Sequence, residues 1–234
     1  MKHTFLIKDW LSSFLSLLFP HCCVVCGRPL AKGEECICTV CNINLPRTNY
    51  HLRKDNPVER LFWGQIPLER ATSFFFYEKG SDFRLILHRL KYGGQKEIGA
   101  IMGRYMAAEL LSSNFFQGID VIIPIPLHKK KQQIRGYNQS EWIARGIAAV
   151  TGIPIDTESI LRKKNTETQT RKSVFERRDN VEGIFELQHP ETLAGKHILI
   201  VDDVLTTGST TLACASCLVN VEGIRISILT LATA

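Results

Sequence analysis

One stretch of this chain, residues 198–211, reads ILIVDDVLTTGSTT and leaves few folds open. Residues 197–201 (HILIV) form a continuous apolar run. Such a run suits a strand buried on both faces, which requires a mostly parallel sheet covered by helices on both sides. Asp202 and Asp203 are expected to end that strand, and Thr206, Thr207, Gly208, Ser209 and Thr210 lead into a helical stretch from Thr211. A strand that turns into a helix through hydroxyl residues and a glycine cradles phosphate. The helix start offers unpaired N–H groups and a partial positive charge, Gly208 lets backbone approach an anion, and the hydroxyls add donors.

The paired acids need a separate reason. They stand at the carboxyl end of a parallel strand, where open α/β sheets bind ligands. Two carboxylates beside a phosphate cradle make little sense if phosphate is the whole ligand. They make sense for a ligand that also carries a ribose diol, because each carboxylate accepts from a hydroxyl. A helix cap plus a surface acid would explain a lone Asp before Thr, but not the whole string.

A second anion site is expected upstream. Residues 121–123 read as a strand stopped by Pro124 and Pro126, followed by a basic run and by Arg135, Gly136, Tyr137, Asn138 and Gln139. Proline cannot continue a central ladder, so residues 128–135 read as a loop before a helix over 140–150. Its cations Lys129, Lys130, Lys131 and Arg135 suit a pyrophosphate, which needs such partners or a metal. Residues 165–185 are polar and without clear period, which reads as a functional flap carrying Gln169, Arg177 and Asn180. Residues 83–92 have helical spacing and stop at Gly93 and Gly94, with Lys91 in the last turn.

Six of the eight cysteines fall between Cys22 and Cys41. Cys23-x-x-Cys26 and Cys38-x-x-Cys41 form two knuckles that let four thiolates converge tetrahedrally on one zinc ion. So short a stretch has no packed core of its own, and the metal would supply its folding free energy. Paired disulfides are the alternative, which no secretion signal supports. Cys22 and Cys36 adjoin the proposed ligands, and spacing alone lets either replace a neighbour. Cys214 and Cys217 sit in an apolar helical stretch and read as core residues.

Lys and Arg outnumber Asp and Glu by 29 to 23, a net charge of +6 concentrated at residues 128–135 and 162–178. Phosphate, pyrophosphate or nucleic acid all suit such clusters. Trp10, Leu11, Phe14, Leu15, Leu17 and Leu18 recur at helical spacing opposite three serines. That run is too short to cross a bilayer and lacks a cleavage site; it reads as an amphipathic helix docked on the body of a cytoplasmic protein.

In their order along the chain these elements resemble the ComF family of bacterial phosphoribosyltransferase-like proteins, and residues 198–211 resemble the signature of type I phosphoribosyltransferases. One departure is Lys172, where relatives usually carry leucine three positions after the flap glutamine. The resemblance implies an α/β, type I phosphoribosyltransferase fold with a small N-terminal zinc-ribbon-like module. The module would occupy residues 1–48 and the phosphoribosyltransferase domain residues 49–234. The resemblance makes Asp202 and Asp203 catalytic and ribose-binding, and residues 206–210 the 5′-phosphate loop. Lys91, Arg135, Gly136, Asn138, Gln139, Gln169, Arg177 and Asn180 become pyrophosphate or flap candidates. It implies phosphoribosyl diphosphate with Mg²⁺ as donor, and transfer to an unidentified nitrogen acceptor. It equally allows a non-catalytic protein that handles single-stranded DNA in uptake, alongside other competence proteins, with Lys129–Lys131, Lys163, Lys164 and Arg171 as footprint. Expected strands are 121–123, 159–161, 197–201 and 225–231, all in one parallel sheet with an edge strand at 72–77. Expected helices are 82–91, 98–111, 140–150 and 211–219.

Overall fold

The computed structural model describes residues 21–163 and 183–234. The expected N-terminal helix and the flap positions Gln169, Arg177 and Asn180 lie outside these residues, as do Lys164, Arg171 and Lys172.

Four parallel strands form the centre: β1 (Leu68–Phe76), β2 (Val121–Pro124), β5 (His197–Leu205) and β6 (Arg225–Thr233), in the order β1-β6-β5-β2. Two apolar clusters cover its two faces. Leu199, Val201, Leu229 and Leu231 belong to one, and Ile198, Ile200, Ile226 and Ile228 to the other. Alternate side chains of a strand point to opposite faces, so runs that are apolar at every position can only be central strands. The first cluster takes in α3 (Arg84–Tyr92), α4 (Glu97–Leu110) and α6 (Gln139–Thr151). The second takes in α7 (Ser209–Ser216) and the short α2 (Pro57–Arg60).

Residues of the cysteine module, which carries the short α1 (Thr39–Ile43), are buried in the first cluster with Phe74 and Met102, among them Val24, Ile37 and Leu45. Two ion pairs tie the module region to α4: Arg104 with Glu35, and Arg47 Nε to Glu109 at 2.5 Å. The chain then runs along the exposed side of β1. Thr48 N–H donates to Phe74 O at 3.1 Å and Phe76 N–H to Pro46 O at 2.8 Å. An edge strand that would otherwise offer its backbone to another chain is thereby covered.

Three expectations are corrected. The strand near 159–161 is not in the central sheet: β3 (Ile160–Arg162) pairs antiparallel with β4 (Phe185–Leu187) in a separate ribbon. The place beside β2 is taken by Ile155, with Ile122 N–H donating to Pro154 O and Asp156 N–H to Ile122 O, both at 2.9 Å. The Asp156 carboxylate then accepts from Glu158 N–H and Ser159 N–H at 2.8 and 2.9 Å and turns the chain away. Secondly, β5 does not stop at the acids. Val204 and Leu205 keep pairing with Ala232 and Thr233 of β6, so the aspartates stand inside a ladder. Thirdly, the basic segment is a helix, α5 (Lys129–Arg135), started by Lys130 N–H donating to the His128 ring at 3.2 Å and stopped by Gly136 at φ 80°.

Helices α4 and α6 meet backbone to backbone. A methyl group on Gly146 would collide with Ala100 O, and one on Gly103 with Ile143 O. This crossing fixes the height at which α6 presents its first turn to β5. Gly146→Ala is therefore expected to lower stability by about 1–3 kcal/mol through overpacking. Gly80→Ala, where nothing lies within 4 Å, should change it by under about 0.5 kcal/mol. Denaturant unfolding of both variants checks the contrast.

Candidate functional site at the carboxyl ends of the strands

The two aspartates are neighbours in β5 but take different partners. Asp202 Oδ1 accepts from Ser140 Oγ at 2.9 Å and from Asp203 N–H at 2.8 Å. Asp203 pairs instead with Lys91 Nζ at 3.0 Å, at the last turn of α3. Burial, reinforced by the charge of Asp203, pushes the Asp202 carboxyl up to about 7, against the hydroxyl of Ser140 and the charge of Lys91.

Ser140 is held in place by the start of α6. Asn138 caps that helix, its Oδ1 accepting from Ser140 N–H at 3.2 Å while its Nδ2 donates to Ile125 O at 3.0 Å. Gln139 Oε1 accepts from Arg135 at 2.8 Å. Gln139 is only 1% exposed, and its Nε2 has no partner among the described residues. The Arg135 guanidinium also lies 5.4 Å from the centroid of the Tyr92 ring.

Cations gather around this acidic pair. Burial first, then the fields of Arg162, Arg135 and Lys91, hold the Lys131 ammonium below its usual range. The Arg162 guanidinium is likewise lowered by burial, with the nearby Asp202 acting against the shift. Four cations from α3, α5 and β3 thus share one neighbourhood, which is costly unless an anion answers them.

Beyond the acids, residues 206–208 turn from β5 into α7. Gly208 is the N-cap at φ 75°, a backbone conformation a side chain resists. A Cβ there would lie 3.4 Å from the Phe62 ring. Thr206 and Thr210 are exposed, and the hydroxyls of Thr207 and Ser209 are 2.9 Å apart. Lys91, Arg135, Gly136, Asn138, Gln139, residues 202–203 and residues 206–210 all fall at this one end of the sheet. Lys129 and Lys130 are exposed, and Lys163 is paired with Glu186 at 2.6 Å on the β3–β4 ribbon.

Two participants escaped sequence reading. Ser140 follows the Arg-Gly-Tyr-Asn-Gln string directly but looks like an ordinary first-turn serine. Arg162 belongs to the basic stretch 162–178 noted above, but its place beside Asp202 does not show in the sequence, because residues 159–161 read as a strand of the central sheet.

In the N-terminal module, Cys23, Cys26, Cys38 and Cys41 bring four sulfur atoms within 4.8 Å of one another. Cys26 Sγ and Cys38 Sγ are 3.7 Å apart, and Cys38 N–H donates to Cys23 Sγ at 3.3 Å. A tetrahedral site with bonds of about 2.3 Å has sulfur–sulfur edges of about 3.8 Å, so the residues fit a metal ion. Burial raises the Cys23 thiol, but N–H donors from Cys26, Cys38 and Val25 outweigh it and bring the group down to about 7. Cys36 turns the other way, its Sγ 3.9 Å from Met102 Sδ, and burial pushes its thiol up to about 12. Cys22 is exposed and Cys214 is buried among apolar residues.

A parallel sheet with an acidic pair and a hydroxyl-rich turn at its carboxyl edge defines a phosphoribosyltransferase-like protein. Residues 139–234 match the family model described as the phosphoribosyl transferase domain. The DNA utilization protein YhgH of Escherichia coli O157:H7 is 32% identical over 209 residues, covering 83% of this chain and 88% of that protein. The competence protein ComFC of Bacillus subtilis is 25% identical over 88% of this chain and 75% of its own length. Competence protein F of Haemophilus influenzae is 31% identical over 54% of this chain and 57% of its own. This chain belongs to the ComF family and has the type I phosphoribosyltransferase fold. Among solved structures, adenine phosphoribosyltransferase from Leishmania tarentolae is 12% identical, with a TM-score of 0.38 over 81% of this chain and 94% of that one.

The acidic pair makes a pH prediction. A carboxyl raised from 3.8 to about 7 on folding holds its proton more tightly in the folded chain. Folding stability from this group is therefore fully present below about pH 4 and declines as pH rises through about 7. In ligand-free protein, Asp202→Asn should raise the melting temperature by several degrees at about pH 8 and leave it unchanged near pH 4. Thermal unfolding at both pH values checks the sign; an equal gain at both would contradict it.

Proposed function

We propose that this protein binds phosphoribosyl diphosphate with Mg²⁺ and transfers the phosphoribosyl group to a nitrogen acceptor. The observation that carries the reading is the meeting of Asp202 and Asp203 with Lys91, Lys131, Arg135 and Arg162 beside the turn at residues 206–210. In this reading each aspartate accepts from one ribose hydroxyl. The N–H groups at the start of α7 and the hydroxyls of Thr206, Thr207, Ser209 and Thr210 hold the 5′-phosphate. The cations hold the pyrophosphate, and the unpartnered Nε2 of Gln139 donates to one of its oxygens, relieving the cost of a buried, unpaired donor. Gly136, at the stop of α5, lets Arg135 turn back toward that group.

Mg²⁺ supplies charge neutralisation at the pyrophosphate oxygens when bound. The nitrogen lone pair forms the new bond at the anomeric carbon while the carbon–oxygen bond to pyrophosphate breaks. Pyrophosphate leaves with that electron pair, and the displaced N–H proton passes to solvent. Holding donor and acceptor in one orientation is the main contribution the protein makes. Water must be kept out, and Gln169, Arg177 and Asn180 are assigned to that task on family likeness alone.

The four-cysteine cluster is assigned to structural zinc in a module over residues 1–48, with residues 49–234 as the donor-binding domain. Thiolate ligands suit a reducing compartment, so the reading places the protein in the cytoplasm. No helix among the described residues is long and apolar enough to cross a membrane.

A second reading is a protein that handles single-stranded DNA during uptake and works with competence proteins; the relatives' names, DNA utilization protein and competence protein, support its DNA and competence parts. The exposed Lys129 and Lys130 on α5 would then follow a phosphate backbone. Single-strand affinity should fall steeply with salt, and replacing Lys129–Lys131 with alanine should flatten the slope; a slope near zero rejects this reading.

Calorimetric titration with phosphoribosyl diphosphate and Mg²⁺ tests the first. Binding should be weakened at least tenfold, about 1.4 kcal/mol or more, in Asp202→Ala and in Asp203→Ala. An unmodified protein that gives no heat of binding, released or absorbed, would reject the donor site. For the metal, atomic emission should give one zinc per chain, lost in Cys23→Ser and Cys38→Ser and kept in Cys36→Ser. Unchanged content in the first two would reject the ligand set.

A further inference from the structure

Lys91 reaches Asp203 from the end of a helix, the part of a helix most prone to fray. Helix α3 stops at Tyr92, and Gly93 and Gly94 follow, the second at φ 67°. The last carbonyls of a helix have no donor within it and must be met from elsewhere. Gly93 N–H donates to Arg89 O at 2.9 Å. Leu90 O is met from 47 positions away, by the Tyr137 hydroxyl, which donates to it at 2.5 Å. Both residues are buried in the first apolar cluster, so losing this bond would leave an unpaired carbonyl away from water.

Tyr137 itself has little freedom. Gly136 before it ends α5 in a left-handed conformation, and Asn138 after it caps α6 and donates to Ile125 O at 3.0 Å. The chain direction is thus set on both sides of the ring. Burial, with the charge of Glu97 adding to it, raises the Tyr137 hydroxyl above its usual range, so the group keeps the proton it donates.

The string from Arg135 to Ser140 thereby serves both acids. Ser140 donates to Asp202 directly, at 2.9 Å. Three positions earlier, Tyr137 holds the turn that carries Lys91, whose ammonium lies 3.0 Å from Asp203. Arg135 meets the same turn through the ring of Tyr92, 5.4 Å away. A lysine stem is long and rotatable, so the place of its charge depends on how firmly its backbone is held.

We infer that Tyr137 is a positioning residue for the donor: its hydroxyl fixes the last turn of α3 and so keeps the Lys91 charge at Asp203, within the group of cations that answers the pyrophosphate. This rests on the reading that the two aspartates hold the donor ribose. Phenylalanine at this position would fill the same space but leave Leu90 O unmet. The last turn would then fray toward the two glycines, and Lys91 would carry its charge into solvent.

Calorimetric titration of the full-length chain with phosphoribosyl diphosphate and Mg²⁺ tests this in four forms: unmodified, Tyr137→Phe, Lys91→Met and the double variant. Tyr137→Phe should bind about fivefold more weakly, the scale of one lost hydrogen bond. Lys91→Met, which keeps the stem and drops the charge, should bind about tenfold more weakly. The double variant should lie within about twofold of Lys91→Met, because Tyr137 then has no charge to position. A tyrosine that only supported the fold would weaken both backgrounds by the same factor, and that result overturns the inference. In the ligand-free protein, amide exchange at Lys91 and Tyr92 should quicken by about fivefold in Tyr137→Phe while Met102 and Met106 of α4 stay protected. Faster exchange throughout the chain, or no change at α3, overturns the inference too. If Tyr137→Phe binds the donor as tightly as the unmodified chain, the inference falls and the donor site stands. If the unmodified chain does not bind the donor, both fall.

Discussion

Asp202 is a carboxyl group that its surroundings do not welcome as a charge. It stands in the ladder of a central strand, beside a second carboxylate, and is kept there by a serine hydroxyl and a distant lysine. Much of the architecture around it makes that position tenable. The glycine-lined crossing of α4 and α6 sets the height of Ser140, the cap at Asn138 fixes its orientation, and the last turn of α3 brings Lys91 to Asp203. Strain of this kind is retained where a ligand relieves it. A diol donating to the two carboxylates, with anions answering the surrounding cations, would be such a ligand.

The same frame explains why the cysteine module is not an appendage in packing terms. Its apolar residues share a core with α4 and α6, and ion pairs from Glu35 and Arg47 fasten the region to α4.

How much of this was legible in the sequence depends on whether a residue signals locally. The run at 197–201, the helix stop at Gly93 and Gly94, and the two cysteine knuckles are local patterns, and each forms the predicted element. The end of β5 reads as a terminus because aspartates are polar; only pairing with β6, distant in sequence, keeps Val204 and Leu205 in the strand. The basic run looked like a loop since its three lysines carry no apolar face, yet a cap at His128 and a left-handed Gly136 bound a helix. The strand at 159–161 obeyed local propensity but lost its place beside β2 to Ile155. Ser140 and Arg162 act across long sequence separations, which no spacing rule reveals.

The central claim is that Asp202 and Asp203 hold a ribose diol whose phosphate sits on the turn into α7. A crystal structure of the protein grown with phosphoribosyl diphosphate and Mg²⁺ tests it most directly. The account predicts the two ribose hydroxyls within hydrogen-bond distance of the two carboxylates, and the 5′-phosphate against the backbone of residues 206–210. Ligand density anywhere else, or a ribose turned away from both aspartates, would contradict it.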